Sequence, residues 1–289
     1  MEDLNKTVSW FPGHMAKTRR LIQENLKLCD VVCELCDARI PRSSRNPVLA
    51  ELTGEKPRVI VLNKADLADP KETERWLAAL RQEGAFPVAV DCKNKKGAQD
   101  FIRAVEKAGE SVFAKKESRG VKSRKLRVMV AGIPNVGKSS FINLLAGRKA
   151  AVAQDRPGVT RGKQWVGVSG AADLDLLDTP GILWPKIETE TQALRLCFTG
   201  AVKDEILDLE WVACALCDAL KERAPQALSA RYRVENFEDL PGYELLEEIG
   251  RKRGFVRRGG VVDTERTAHI LLDEYRAGLL GAVTLEPVE

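Results

Sequence analysis

The sequence predicts an α/β fold built on a mostly parallel sheet, followed by a small all-helical C-terminal domain. Two patterns carry that expectation. Over the first two thirds, short runs rich in β-branched residues alternate with amphipathic stretches, as in parallel strands joined by helical crossovers. From about Pro185 onward the strand signals stop and helical periodicity takes over. With 289 residues, two cores can form without disulfides, and the expected division is 1–185, including an N-terminal extension, and 186–289.

Taken in order, strands are expected at Asp30 to Cys36, Arg58 to Leu62, Pro87 to Val90, Leu126 to Ala131, Gln164 to Val168 and Leu174 to Leu177. Between them, Asn46-Pro47 and Asp69-Pro70 each place a capping side chain ahead of a proline at the first helical position. The second of these opens a helix running toward Glu83, and Gly97 to Phe113 reads as another. The segment AKKESRGVKSRK, next in the chain, is charged and lacks an apolar period, so it reads as an exposed connector. The helical domain is expected to contain Thr189 to Phe198, Asp208 to Glu222, Gly242 to Arg253 and Thr264 to Ala277.

A composition of 44% hydrophobic and 30% charged residues excludes a disordered or fibrous chain. No apolar run is long enough to cross a bilayer, and MEDLNKTVSW resembles neither a signal nor a transit peptide, so a cytoplasmic location is expected. Lys+Arg 46 against Asp+Glu 42 leaves only +4, yet the basic residues cluster. The clusters are Lys17, Arg19 and Arg20; Lys115 to Lys125; and Arg251, Lys252, Arg253, Arg257 and Arg258. That distribution suits a phosphate-binding surface, with Phe255 available as a stacking ring for RNA. The seven cysteines are an odd number, which argues against a disulfide framework. Cys33 with Cys36 and Cys214 with Cys217 form two C-x-x-C pairs, readable as zinc ligands or as small buried hydrophobes inside apolar runs.

The strongest chemical signal is Gly132-Ile-Pro-Asn-Val-Gly137-Lys138-Ser139, a G-x-x-x-x-G-K-S loop between a hydrophobic strand and a helix. Such a loop turns backbone N–H groups around phosphate oxygens, and its nucleotide-contacting residues are Asn135, Val136, Gly137, Lys138, Ser139 and Ser140. Lys138 would reach the β and γ phosphates and Ser139 would offer its hydroxyl to Mg2+. The base is read elsewhere, by Asn63-Lys64-Ala65-Asp66 at the end of a strand. Guanine presents N1–H and a 2-amino group side by side, two donors that the Asp66 carboxylate accepts together; adenine has no such pair. Asn63 would hold the far edge of the base and the neighbouring loop, while the Lys64 stem covers one ring face. GTP is therefore the expected substrate.

At the γ-phosphate end, Asp178-Thr179-Pro180-Gly181 follows an apolar strand, so that Asp178 would hold Mg2+ and the Gly181 N–H would meet the phosphate. Arg156-Pro157-Gly158-Val159-Thr160 ends in a hydroxyl, the candidate second Mg2+ ligand. The segment beyond Gly181 runs through Leu183-Trp184-Pro185 straight into the helical domain, either as a switch that biases its orientation or as a rigid linker.

Base reader first, phosphate loop second and Asp178 motif last is a circularly permuted order. Together with WFPGHMAKTRR, DARIPRSSRNP from Asp37 to Pro47, and GGVVDTERTAHILLDEYRAGLLGAVTLE, it closely resembles the YlqF/RbgA family of ribosome-biogenesis GTPases over nearly the whole chain. The resemblance implies a circularly permuted P-loop GTPase domain. It further implies a GTPase that binds the rRNA of a late large-subunit precursor, leaves after hydrolysis, and contacts RNA through its helical domain. It is expected to be monomeric when free. The family's second base-reading loop commonly carries a small pair, where this chain has Val90-Asp91-Cys92-Lys93, so Asp91 and Cys92 are taken to approach guanine through backbone N–H.

Where Ras-type enzymes place a water-orienting glutamine, this chain has Ile182, which offers no hydrogen bond. The resemblance implies His14 as the catalytic residue, swung toward the nucleotide on the ribosomal particle; the other reading is an exposed histidine in a turn-prone segment that touches RNA. His269 is taken as structural. Asn135, in GTPases lacking the glutamine, helps hold a K+ ion against the phosphates, and the resemblance suggests K+ stimulation; as a lone loop asparagine it is simply a turn residue. An RNA-binding scaffold gated by nucleotide, with incidental hydrolysis, is the competing function.

Overall fold

The computed structural model describes residues 12–118, 120, 125–147, 164–179, 187 and 189–288, with side chains from Arg19 onward except at 172. Helix α1 (Pro12–Leu26) precedes β1 (Val31–Asp37), α2 (Pro47–Thr53), β2 (Arg58–Asn63), α3 (Pro70–Gln82), β3 (Phe86–Val90) and α4 (Ala98–Glu117). Then come β4 (Leu126–Gly132), α5 (Lys138–Ala146), β5 (Gln164–Val168) and β6 (Ala171–Asp178). Helices α6 (Glu190–Phe198), α7 (Leu209–Arg223), α8 (Pro225–Tyr232), α9 (Gly242–Lys252) and α10 (Thr264–Ala277) complete the chain.

The six strands form one sheet in the order β3-β2-β1-β4-β6-β5, parallel except for the β5–β6 pair. β1 reads VVCELCD and is buried along its whole length, as a central parallel strand covered on both faces must be. Side chains alternate between those faces. Val31, Cys33 and Leu35 join Phe101 and Val105 of α4 and Phe141 of α5 on one side. On the other, Cys36 lies with Trp76 and Leu80 of α3, and Val32 with Ile22 and Leu26 of α1. Phe101 and Phe141 lock α4 to α5 edge to face, with centroids 4.9 Å apart.

The first core runs without a break into the helical half, where Leu216, Cys217 and Leu220 of α7 are fully buried. α9 crosses α7 at Gly242, where a Cβ would lie 2.2 Å from the Cys214 carbonyl oxygen. The chain then returns. Val283 N–H donates to the Leu67 carbonyl at 3.0 Å and Leu285 N–H to the Arg39 carbonyl at 2.9 Å. Buried Glu286 accepts from Ser43 N (2.8 Å), Ser43 Oγ (2.7 Å) and Arg195 Nη1 (2.8 Å). The last residues thus stitch α6 to the loop after β1.

Several expectations need correction. β6 begins at Ala171, ahead of the expected Leu174, because Ala171 already pairs with Val168 of β5, before the pairing with β4 starts at Leu174. α4 continues to Glu117, so the start of the supposed connector is helical. The helix α8 was not among the expected helices; it opens on Pro225 immediately after α7. Pro12 to Met15, read as a turn-prone segment, is the first turn of α1, with proline at its opening position.

Candidate functional site

Because β1, β2, β3, β4 and β6 are parallel, their carboxyl ends share one edge of the sheet, where loops from separate strands converge. From β4 the chain turns through Gly132 to Gly137 into α5. Gly137 has φ +93°, and a Cβ there would stand 2.3 Å from Asn63 Nδ2, so no other residue fits. That asparagine ends β2 and donates from Nδ2 to the Val136 carbonyl at 2.8 Å. Lys64, itself at φ 59°, donates from Nζ to the Asn135 carbonyl at 2.7 Å. The Asn63–Asp66 tetrapeptide is therefore tied directly to the phosphate loop. Asp66 lies exposed on the 3-10 turn Ala65–Leu67.

Cys92 contributes in a way the sequence did not signal. Its thiol, pushed up to about 12 by burial, stays protonated and donates to Asn63 Oδ1 at 3.2 Å. Both ends of the Asn63 amide are thereby fixed. The Asp91 carboxylate is engaged by its own turn, accepting from Asn94 N at 2.9 Å and Asn94 Nδ2 at 2.7 Å. What this loop can offer a base is backbone.

At the other end, Lys138 forms a buried ion pair with Asp178 at the close of β6. Thr179 Oγ1 donates to the Val130 carbonyl at 2.7 Å, holding the chain beyond β6 against β4. Ser139 is half-buried and Ser140 exposed. A hydroxyl and a carboxylate are hard oxygen donors, and so sparse a set suits Mg2+, which keeps waters and substrate phosphates as its remaining ligands. Thr160, Gly181 and Ile182 lie outside the described residues, as does the linker to Pro185.

Asn135, with φ 57°, sends Nδ2 to the Gly200 carbonyl at 2.7 Å, across to the helical half. Beside it opens a cleft of about 790 Å3, walled by Lys64, Leu67 and Asn135 on one side and by Gly200, Asp204 and Arg276 on the other. Its volume falls in the range of small-molecule sites. His14 has its backbone in the first turn of α1; its side chain is outside the described set. His269 is exposed on α10, which corrects its reading as structural.

The C-x-x-C pairs do not converge. Cys33 and Cys36, three apart on a strand, point to opposite faces, and burial pushes both thiols well above the usual range. Among the described residues no group of three or more His, Cys, Asp or Glu gathers to hold a metal. The basic clusters are less free than they read. Arg251 pairs with Glu247 and Glu248, Arg253 with Glu274, and Arg257 with Asp263. The Phe255 ring is capped by the Arg266 guanidinium, 4.4 Å from its centroid.

A phosphate loop braced by an asparagine 73 positions earlier in the chain is the arrangement left when a GTPase fold keeps its contacts and moves its termini. The protein is a circularly permuted P-loop GTPase. The family described as 50S ribosome-binding GTPase matches residues 127–226, starting inside β4 and leaving Asn63 to Asp66 ahead of the match. Ribosome biogenesis GTPase A of Priestia megaterium is 45% identical over 282 residues, covering 97% of this chain and 96% of that protein. Its counterpart in Thermotoga maritima is 32% identical, covering 98% and 95%. The crystal structure of GNP-bound YlqF from T. maritima superposes with a TM-score of 0.64 at 27% identity, covering 94% of this chain and 98% of that one. The chain belongs to the ribosome biogenesis GTPase A family. No described helix is long and apolar enough to cross a membrane.

Proposed function

We propose that this GTPase is an assembly factor for the large ribosomal subunit in the cytoplasm, monomeric when free, binding the rRNA of a late precursor and leaving after GTP hydrolysis. The relatives' names support the ribosomal role: they include Ribosome biogenesis GTPase A and, in Mus musculus, Mitochondrial ribosome-associated GTPase 1. The observation that carries the nucleotide reading is the pair of hydrogen bonds from Asn63 and Lys64 to the phosphate-loop carbonyls.

In this reading Asp66 accepts the two guanine donors, the Lys64 stem covers the ring, and backbone N–H groups from Asn135 to Ser140 hold the phosphates. Lys138, which pairs with Asp178, would direct its charge to the β and γ phosphates. Ser139, Asp178 and Thr160 would hold Mg2+, which offsets the charge on the phosphate oxygens. His14 orients the attacking water once the particle positions α1, taking the role of the glutamine that Ile182 cannot fill. Asn135 Nδ2 is engaged by the Gly200 carbonyl, so its Oδ1 would be the atom left to hold a K+ ion, whose charge would offset that of the phosphates.

The test is GTP turnover with and without large subunits, in K+ and in Na+. Intrinsic turnover of unstimulated GTPases is on the order of 10⁻⁴ to 10⁻² per second. The expected result is a large stimulation by subunits in K+ that His14→Ala removes while GTP binding persists. Turnover indifferent to subunits would overturn the assembly-factor reading, and an unaffected His14→Ala variant would overturn the catalytic assignment.

A further inference from the structure

The sheet order reverses between β1 and β4, so the crevice beside the phosphate loop is bounded by the chain leaving β1. That stretch is Asp37-Ala38-Arg39, the start of the DARIP segment. Asp37 is buried, 1% exposed, at the strand terminus opposite Asn63 in register. Arg39 grips it with a full fork: Nε to Oδ1 at 2.9 Å, Nη2 to Oδ2 at 2.8 Å, and its backbone N–H to Oδ1 at 3.1 Å. Those bonds alone would serve a structural ion pair. The carboxylate does more, because Lys64 Nζ lies 3.2 Å from Oδ2.

The Lys64 ammonium is thus fixed at two points, the Asn135 carbonyl on the phosphate loop and the Asp37 carboxylate at the crevice. A four-carbon stem with its head held twice has few remaining rotamers, which is what a side chain laid along a purine face requires. Arg39 in turn rests on the helical half. Its Nη1 donates to the Tyr275 carbonyl at 3.3 Å, its guanidinium stands 5.1 Å from the Tyr275 ring centroid, and its carbonyl accepts from Leu285 N–H at 2.9 Å.

We propose that Asp37, seated by Arg39, is a positioning residue of the guanine site: it holds Lys64 across the base, and through Tyr275 the helical half becomes part of that support. The proposal rests on the reading of Lys64 as the residue that covers the ring.

GDP affinity of the full-length protein, measured with a fluorescent GDP analogue, tests it across four variants. Lys64→Met is expected to weaken binding, and Asp37→Asn to weaken it by about tenfold, the scale of one lost charge-assisted bond. Combining the two should add nothing further, because both remove the same restraint. Asp37→Asn alone leaves Arg39 buried without its partner, so the fourth variant, Asp37→Asn with Arg39→Met, removes both charges and carries the comparison if the single variant does not fold. Its thermal midpoint should return toward wild type while its GDP affinity stays about tenfold weak. Affinity recovering with stability, full additivity with Lys64→Met, or wild-type affinity in the Asp37 variants would each reduce the pair to a fold element and overturn the proposal. Should Lys64→Met itself bind GDP normally, the underlying guanine-site reading fails, and this proposal falls with it.

Discussion

Asp66 carries the choice of base in the proposed site, and a one-atom change tests it. Asn in its place offers one acceptor and one donor where guanine needs two acceptors, and it matches xanthine, whose ring carries N1–H beside a carbonyl. Asp66→Asn should lose on the order of 100-fold or more in GTP affinity and gain affinity for XTP; unchanged GTP preference by calorimetry would remove Asp66 from the site. A second residue-scale effect concerns acid. Burial pushes the Asp37 carboxyl up, but the Arg39 guanidinium and the Lys64 ammonium more than offset this and hold it well below the usual carboxylate range. Glu274 is likewise lowered: burial opposes, while Arg231, Tyr232 and Arg253 outweigh it. Groups depressed in the folded state stabilise it above their unfolded values of about 4, and that stability is lost as pH falls below them. The thermal midpoint should therefore hold steady from about pH 8 to pH 5 and drop steeply below about pH 4; a flat profile to about pH 2 would mean that these carboxylates are not ion-paired.

At the scale of elements, the site depends on one glycine between strand and helix. Gly137 combines a left-handed φ with a contact distance of 2.3 Å from an added Cβ to Asn63 Nδ2. Gly137→Ala must either strain the loop or expel Asn63 from the Val136 carbonyl, and a destabilisation of about 2 kcal/mol together with loss of GTP binding is expected. Urea unfolding and nucleotide titration check the two effects separately, and a variant normal in both would show that the loop and the base reader are not in contact. Much at this scale was readable in the sequence. β1, β2 and β4 are apolar and β-branched, and the Asp69-Pro70 cap opens α3 where expected. The misses have local causes. α8 is short and begins on a proline directly after α7, and the start of β6, Ala-Ala-Asp, carries no large or β-branched apolar residue and precedes the pairing with β4.

On the scale of the whole molecule, the helical half is fastened to the sheet by its final residues. Glu286, 4% exposed, holds Ser43 beside the DARIP turn and Arg195 on α6, while its carbonyl accepts from Trp76 Nε1 at 2.7 Å. Glu286→Ala would leave Arg195 and the Ser43 donors without their acceptor, at a cost of about 3 kcal/mol. Denaturant unfolding should show the loss; a change below about 0.5 kcal/mol would place the terminus off the sheet. Because the same tail bonds Leu67 and Arg39, either side of the base reader's support, its fastening and guanine binding are expected to be coupled.

The sequence by itself determined the chemistry. A phosphate loop, an Asn-Lys-x-Asp tetrapeptide proposed to read guanine and a carboxylate at a strand end are each specified by spacing within a few residues, and their order in the chain disclosed the permutation. Only the tertiary structure decided how these pieces are held. The ties from Asn63 to Val136, from Cys92 to Asn63, from Asp37 to Lys64 and from Glu286 to Ser43 join residues on different loops. Such contacts are set by the order of strands in the sheet and by the packing of helices over it, which no window of neighbouring residues encodes.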